Sequence, residues 1–242
     1  MIDYAPPMDP YTDILFEDAH LLVINKPSGL LSVPGRPAGF EDCVAARYQS
    51  LYADARIVHR LDLSTSGVMV LARGDHMTGA MGKIFQSRNV SKSYLAWVAG
   101  EMVAEEGSVD LPLIKDWPNR PRQKVCFESG KPSLTHWRRL RFMDGVTEVE
   151  LTPVTGRSHQ LRVHMAEIGH PILGDPLYAP PEIVAMAERL QLHATTLAFT
   201  HPVTGDDLSF TVPSPLSGYQ GRSSLVAQGS ASTGQTGRAT LS

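Results

Sequence analysis

The apolar residues of this 242-residue chain come in short runs, such as Leu21-Leu-Val-Ile24 and Val68-Met-Val-Leu71, each soon followed by Asn, Pro, Gly or charged residues. A run of that length suits a buried strand and is far too short to cross a bilayer. The core must therefore be assembled from many strands joined by turns. Leu21–Ile24 is stopped by Asn25-Lys-Pro-Ser-Gly29, and Val68–Ala72 follows the turn sequence Ser64-Thr-Ser-Gly67. Ile57–Asp62 reads as extended, Ser93–Ala99 and Val149–Val154 as strands, and Leu192–Thr200 with Leu208–Val212 as a hairpin about Thr204-Gly-Asp-Asp207.

Helical signals are fewer. Asp42–Tyr52 is weakly helical, and Asp75 can cap a helix carrying Met77, Ala80, Met81, Ile84 and Phe85 on one face. Leu161, Met165 and Ile168 recur at helical spacing within Ser158–Ile168, which Gly169 and Pro171 end. Pro181 opens another helix, with Ile183, Met186, Ala187 and Leu190 on its buried side. Many strands with scattered helices predict an α+β fold around a mostly antiparallel or mixed central sheet. Residues 1–13 form an N-terminal extension and 14–216 the folded domain. The Gly-, Ser-, Thr- and Gln-rich stretch 217–242 has too few large apolar residues to offset chain entropy and reads as a disordered tail.

The start of the chain, MIDYAPPMDP, lacks a basic, then apolar, secretion signal, so a cytoplasmic monomer is expected. Cys43 and Cys126 stand apart and suggest neither a disulfide framework nor a zinc site. Formal net charge is −3, yet Lys115, Arg120, Arg122, Lys124, Lys131, Arg138, Arg139 and Arg141 face only Asp116 and Glu128 between positions 115 and 141. Screening makes such a near field decisive, so the segment can hold phosphates on a net-acidic molecule. A solvated basic loop is the plainer alternative.

Two constellations carry chemistry. In His59-Arg-Leu-Asp-Leu-Ser-Thr-Ser-Gly67, an extended Ile57–Asp62 places Arg60 and Asp62 on one face, at a strand end before a turn. A surface Arg and Asp would look the same. In Thr155-Gly-Arg-Ser-His-Gln-Leu-Arg-Val-His164, Arg157 follows a glycine turn while His159 and Arg162 are helix neighbours, a group able to bind phosphate or keep a carboxylate ionised. A metal at His159, His164 and His170 is disfavoured, since residues five apart on a helix diverge by about 140°. A serine hydrolase built on Ser66, His59 and Asp62 lacks the Gly-x-Ser-x-Gly elbow.

Taken in order, Asn25-Lys-Pro-Ser-Gly29, His59-Arg-Leu-Asp-Leu-Ser-Thr-Ser-Gly67, Lys92-Ser-Tyr94, Gly156-Arg-Ser-His-Gln-Leu-Arg162 and Gly169-His-Pro-Ile-Leu-Gly-Asp175 resemble the motifs of the RluA family of pseudouridine synthases. The resemblance implies the pseudouridine synthase fold, with two α+β subdomains around a catalytic cleft, and a cofactor-free, metal-free isomerisation of uridine in RNA. It implies Asp62 as nucleophile, Arg157 as its paired arginine and Tyr94 against the target base. Arg60 would enter the RNA as the base leaves, and His59, Lys92, His159 and Arg162 would line the RNA side of the site. Gly29-Leu-Leu-Ser-Val-Pro-Gly-Arg36 and Asp110–Val125 further resemble a member that modifies both a 23S rRNA stem-loop and the tRNA anticodon stem-loop, with Arg120, Arg122 and Lys124 gripping the backbone and Trp117 either stacked on a base or buried. Larger relatives carry an S4-like domain ahead of the first strand, where about a dozen residues stand here, so a compact member is expected.

Overall fold

The computed structural model describes residues 4–216. Its strands are β1 (Ile14–Glu17), β2 (Leu21–Lys26), β3 (Ala55–Ile57), β4 (Ser66–Arg73), β5 (Val90–Ala99), β6 (Glu106–Asp110), β7 (Leu113–Lys115), β8 (Gln123–Val125), β9 (Leu134–Met143), β10 (Val146–Pro153), β11 (Leu192–Thr200) and β12 (Asp207–Thr211). The helices are α1 (Val44–Leu51), α2 (Gly74–Gln86), α3 (Gln160–Glu167) and α4 (Pro181–Val184). Ten strands form one sheet with the path β1-β2-β4-β11-β5-β10-β9-β6, β3 pairing with β4 and β12 with β11, while β7 and β8 make a separate hairpin. All described pairings between these strands are antiparallel except β4 with β11. This is the α+β, mixed-sheet class that short apolar runs and scattered helices require.

Apolar residues gather in two main clusters along the sheet. One joins β2, β4, α1 and α2 around Leu22, Ile24, Val70, Leu71, Met77 and Met81; the other joins β5, β10 and α3 around Ala96, Val149, Leu151, Leu161 and Met165. Tyr94 packs against both and so sits at their junction. A smaller cluster holds Trp97 under Ile183, Met186 and Ala187. Those three residues follow the expected pattern, but α4 closes after Val184 and the chain reaches buried Leu190 without further helix. Residues before β1 are fastened to the body: the Arg47 guanidinium, fully buried, donates to the Pro7 and Tyr11 carbonyls and pairs with Asp42 at 2.7 Å.

Three sequence expectations need correction. Ile57–Asp62 is not one strand: β3 ends at Ile57, because from Leu61 onward side chains replace the ladder. Ser32 Oγ donates to the Leu61 carbonyl at 2.7 Å and accepts from its N–H at 3.2 Å, leaving Leu61 buried between exposed Arg60 and half-buried Asp62. Helix α3 starts at Gln160, since His159 takes a left-handed backbone (φ 56°) that helix cannot include. The basic stretch is not a plain loop, for it runs from the end of β7 through β8 and most of β9. On β9, Arg138 and Arg141 lie opposite Glu150 and Glu148 of β10 and bond them at 2.7 Å each, while Arg139 donates to the Met102 and Val103 carbonyls. The tail from 217 onward lies outside the described residues.

Two imidazoles, His59 half-buried and His193 buried, tie the sheet to its surroundings. His59 Nε2 accepts the Val70 N–H at 3.0 Å with its ring stacked on Phe85, and burial, aided by the Lys92 ammonium, pushes its pKa down to about 3. His193 Nδ1 lies 2.9 Å from Ser66 Oγ across the β4–β11 pair, and burial pushes it down to about 4, the nearby Arg189 also lowering it and a backbone bond to Val212 opposing. Both are neutral in the folded state at pH values where an unfolded histidine, with a pKa near 6.5, binds a proton. The unfolded chain then holds more protons, so stability must fall as pH drops from about 6.5 towards 4, by at most ~1.4 kcal/mol per pH unit for each ring. Urea unfolding across that range should show the decline, and His193→Gln should flatten it; a level profile in the parent chain refutes neutral burial.

Candidate active site

Asp62 sits on a loop held from one side by the segment after β2. Lys26 Nζ donates to the carbonyls of Pro27, Leu30 and Leu63 at 2.9, 2.6 and 3.2 Å. The Gly29 N–H also reaches the Leu63 carbonyl, Ser28 Oγ donates to the Ser64 carbonyl at 2.8 Å, and the loop closes through the Thr65 N–H to the Asp62 carbonyl. Burial pushes Lys26 down to about 7, with the Arg189 cation in the same direction and Asp62 opposing. Next along the chain, Gly67 cannot carry a side chain: a Cβ there would strike the backbone of Ala194. Strands β4 and β11 thus approach closely just behind the Asp62 loop.

The cation beside Asp62 is Arg162. Its Nη1 lies 3.3 Å from Asp62 Oδ2, while Nε and Nη2 engage both oxygens of Asp175 at 2.8 and 2.6 Å. Asp175 is fully buried and also accepts the Leu177 N–H. Burial would lower the Arg162 pKa, but Asp175 and Asp62 together outweigh it and hold the guanidinium above its ordinary value. A bidentate pair of this kind fixes the plane of the guanidinium and so the direction of the remaining nitrogen. Arg162 is a permanent, oriented positive charge at the foot of Asp62.

Arg157, expected from the resemblance to be that partner, does not reach Asp62. It is exposed, its N–H bonded to Gln160 Oε1 at 3.0 Å and its Nε directed at the Pro132 carbonyl at 3.4 Å. The cause is the left-handed turn at His159, which puts Arg157 outside the helix and Arg162 on its buried side. Gln160 completes the turn, accepting from Thr155 and donating to the Leu134 carbonyl and Thr135 Oγ1. Arg162, grouped above with RNA-facing residues, is buried instead. His59 is half-buried, its Nε2 committed to the Val70 N–H.

The remaining residues surround Asp62. Tyr94 is half-buried, and burial, reinforced by the Asp62 charge, raises its pKa well above the usual phenol value, so it stays a neutral phenol. Lys92, two positions earlier on the same face of β5, is lowered by burial and stands beside Gly156. His159 Nε2 is 3.9 Å from Asp62 Oδ2, too far for a hydrogen bond, and burial lowers its pKa, with Asp62 opposing. It faces the carboxylate as a neutral ring. His164 bonds Thr135 and the Leu111 carbonyl, and His170 the Ala99 carbonyl, so these histidines do not converge with His159.

Tyr178 links this centre to the β7–β8 hairpin. Its hydroxyl accepts the Gln123 N–H at 2.8 Å and lies 2.7 Å from His159 Nδ1, and its ring packs under the guanidinium carbons of Arg162 and Arg122 at 5.2 and 5.3 Å. Arg120, Arg122 and Lys124 are exposed, and Trp117 is 62% exposed with Lys115 and Arg120 over its ring. Of the two readings for Trp117, the buried anchor is excluded. Sequence reasoning does not single out Lys26, Asp175 or Tyr178 as site residues, although Lys26 and Asp175 lie within the motifs. A Lys before Pro and an Asp after Gly carry no sign of which way they point.

Comparison with known proteins identifies the family and the fold. Residues 20–167 match the family model described as RNA pseudouridylate synthase. The chain is 55% identical over 202 residues, 84% of this chain and 82% of the relative, to the dual-specificity RNA pseudouridine synthase RluA of Vibrio cholerae serotype O1. It is 51% identical over 214 residues, 88% of this chain and 98% of the relative, to the protein of that name from Escherichia coli. Among solved structures, human RNA pseudouridylate synthase domain containing 1 superposes with a TM-score of 0.69 at 28% identity, covering 84% of each chain. Human RNA pseudouridylate synthase domain containing 4 gives 0.68 at 28% identity, covering 84% of this chain and 89% of that one. With matched residues spanning Lys26, Asp62, Tyr94 and Arg162, this chain belongs to the RNA pseudouridylate synthase family.

Proposed function

We propose that Asp62 is the nucleophile of a uridine-to-pseudouridine isomerisation in stem-loop RNA, with Arg162 rather than Arg157 as its ion-pair partner. The observation that carries this reading is the half-exposed Asp62 carboxylate 3.3 Å from a guanidinium whose other nitrogens are taken by buried Asp175. A carboxylate must be ionised to attack, and burial under a base would favour its protonation unless a fixed cation opposes it. The reaction breaks C1'–N1, rotates the base and joins C5 to C1'; the C5 hydrogen leaves as a proton and N1 gains one. No electrons are exchanged, and attack at C6 or at C1' both balance.

The target atoms are shielded in a stacked loop, so the nucleotide must be turned out at a cost of a few kcal/mol. Exposed Arg60, separated from Asp62 only by buried Leu61, is suited to fill the vacated space by stacking and by phosphate contact. Tyr94 lies against the base as a phenol. Burial and the Asp62 charge hold its proton in place, so Tyr94 packs on the base and offers a hydrogen bond rather than acting as the base that takes the C5 proton. Trp117 and the exposed basic residues of the hairpin hold the stem-loop backbone, and Lys92, His159 and Arg157 border the entrance. The dual specificity in the relatives' names extends to this chain, acting in the cytoplasm on a 23S rRNA stem-loop and the tRNA anticodon stem-loop.

Asp62→Ala should abolish tritium release from C5-tritiated uridine in both stem-loops while RNA affinity stays near that of the parent; retained turnover removes Asp62 from the role. Arg162→Lys keeps the charge but cannot span both carboxylates, so single-turnover release should slow by about 100-fold or more. Arg157→Ala should cost less than about tenfold in the same assay, and the reverse ranking would restore Arg157 as the partner. Neutralising Arg120, Arg122 and Lys124 together should weaken binding and flatten the salt dependence, by about one in slope for each phosphate no longer engaged. An unchanged slope moves the RNA elsewhere.

A further inference from the structure

Behind the Asp62 loop, where β2, β4 and β11 end, lies a cavity of about 470 Å³ lined by Asn25, Lys26, Ser28, Ser66, Arg189 and His193, among others. Ser66 and His193 are direct partners across β4 and β11, and the next pair, Gly67 and Ala194, is in register with Tyr94. By strand alternation Ser66 and His193 project to the opposite face of the sheet from Tyr94. Lys26, in register with Gly67, lies on the Tyr94 face and also lines the cavity, which therefore spans the strand ends beside the Asp62 loop.

Its lining contains no Asp or Glu. Arg189 Nη2 donates to Ser66 Oγ at 2.7 Å, but its Nε is buried with no acceptor, and among the described residues no carboxylate pairs with it. Lys26, on the cavity wall, has its three hydrogens on backbone carbonyls and adds positive field without being a donor to a ligand. Burying an arginine with donors unmet is costly unless something supplies the acceptors. Nη1 has no partner among the described residues and is not sealed as Nε is, so it is the nitrogen that an oxyanion in the cavity can reach.

The position of Arg189 is fixed against the same loop that fixes the Asp62 partner. Gly174, with φ 69°, packs on the Arg189 backbone so closely that a Cβ would collide with it, and the Gln191 N–H bonds the Leu173 carbonyl. Asp175, the next residue, holds Arg162. One short loop thus sets the spacing between the unpartnered guanidinium and the paired one. A nucleotide entering at Asp62 carries phosphates on both sides, and phosphate contacts are what fix the register of a bound strand.

We propose that this cavity is a phosphate site that takes a backbone phosphodiester of the substrate RNA next to the extruded nucleotide, with Arg189 as its principal ligand. The proposal rests on the RNA-isomerising reading above. It is tested with full-length protein, parent and Arg189→Gln, on stem-loops in which single phosphates flanking the target uridine are replaced by neutral methylphosphonates. One position should weaken binding by the parent about tenfold while leaving Arg189→Gln unaffected, and Arg189→Gln should lower the salt slope by about one. Arg189→Lys, which keeps the charge without the guanidinium, should keep the slope and lose part of the position-specific effect; it takes the place of the glutamine form should that variant not fold. Parallel methylphosphonate profiles for parent and variant overturn the proposal. If inorganic phosphate at constant ionic strength raises the melting temperature of the parent but not of the variant while the profiles stay parallel, the site holds a free anion and its assignment to RNA is overturned. Tritium release by the parent on the unmodified stem-loops separates these results: without release the isomerase reading fails, and with release only the phosphate site is in question.

Discussion

The site depends on the way buried Asp175 takes two nitrogens of Arg162 and leaves the third for Asp62. Alone, a guanidinium beside Asp62 could swing away to water. Clamped from behind, it cannot. The cost of burying the cation is offset by a second carboxylate that itself never touches the substrate. Removing either member of such a pair leaves the other charge uncompensated, at about 3–5 kcal/mol. The arrangement therefore couples folding to chemistry: α3, the loop at Gly174-Asp175 and the Asp62 loop must all be in place before the ion pair exists.

The same logic explains the scaffolding around the Asp62 loop. A loop that presents a nucleophile has backbone groups that no strand can pair, and those of Leu61, Leu63 and Ser64 are taken by Ser32, Lys26, Gly29 and Ser28. On the other side, the close approach of Gly67 to Ala194 brings β11 against β4 in the single parallel pairing described. Asp62 is thus carried by irregular backbone whose neighbouring carbonyls are anchored to the end of β2 and the segment that follows it. Tyr178 extends this anchoring outward, since one hydroxyl touches both His159 at the centre and Gln123 at the root of the basic hairpin.

How much of this is legible in the chain follows from what each feature depends on. Strands β2 and β4 announce themselves because burial on both faces demands unbroken apolar runs, β5 shows through alternation, and β11 through the turn that follows it. Strand β9 does not, because its charged residues are satisfied by partners on β10: Arg138 and Arg141 look like part of a basic patch until Glu150 and Glu148 are placed opposite them. The local excess of positive charge is therefore smaller than the sequence suggests, and what remains free to meet phosphate is the hairpin. Motif spacing locates Asp62 and Tyr94 through family resemblance, but it does not separate the two arginines of Gly156-Arg-Ser-His-Gln-Leu-Arg162. That choice turns on one backbone torsion, the positive φ of His159, which no side-chain pattern specifies.

The contrast between the arginines has a general physical basis. A guanidinium that stabilises a buried carboxylate must itself be desolvated and held in one plane, which requires a second acid deep in the fold and thus a position on the buried side of a helix. One that meets RNA must stay hydrated and mobile until the RNA arrives, which requires exposure. Arg162 and Arg157 satisfy these opposite demands five residues apart, and the turn at His159 lets one short segment serve both. Arg189 fits neither class: it is half-buried like a structural arginine but lacks the acid that such burial normally requires. The folded chain leaves a donor of that guanidinium unsatisfied beside the Asp62 loop, and the proposed phosphate site is what would supply acceptors to its free side.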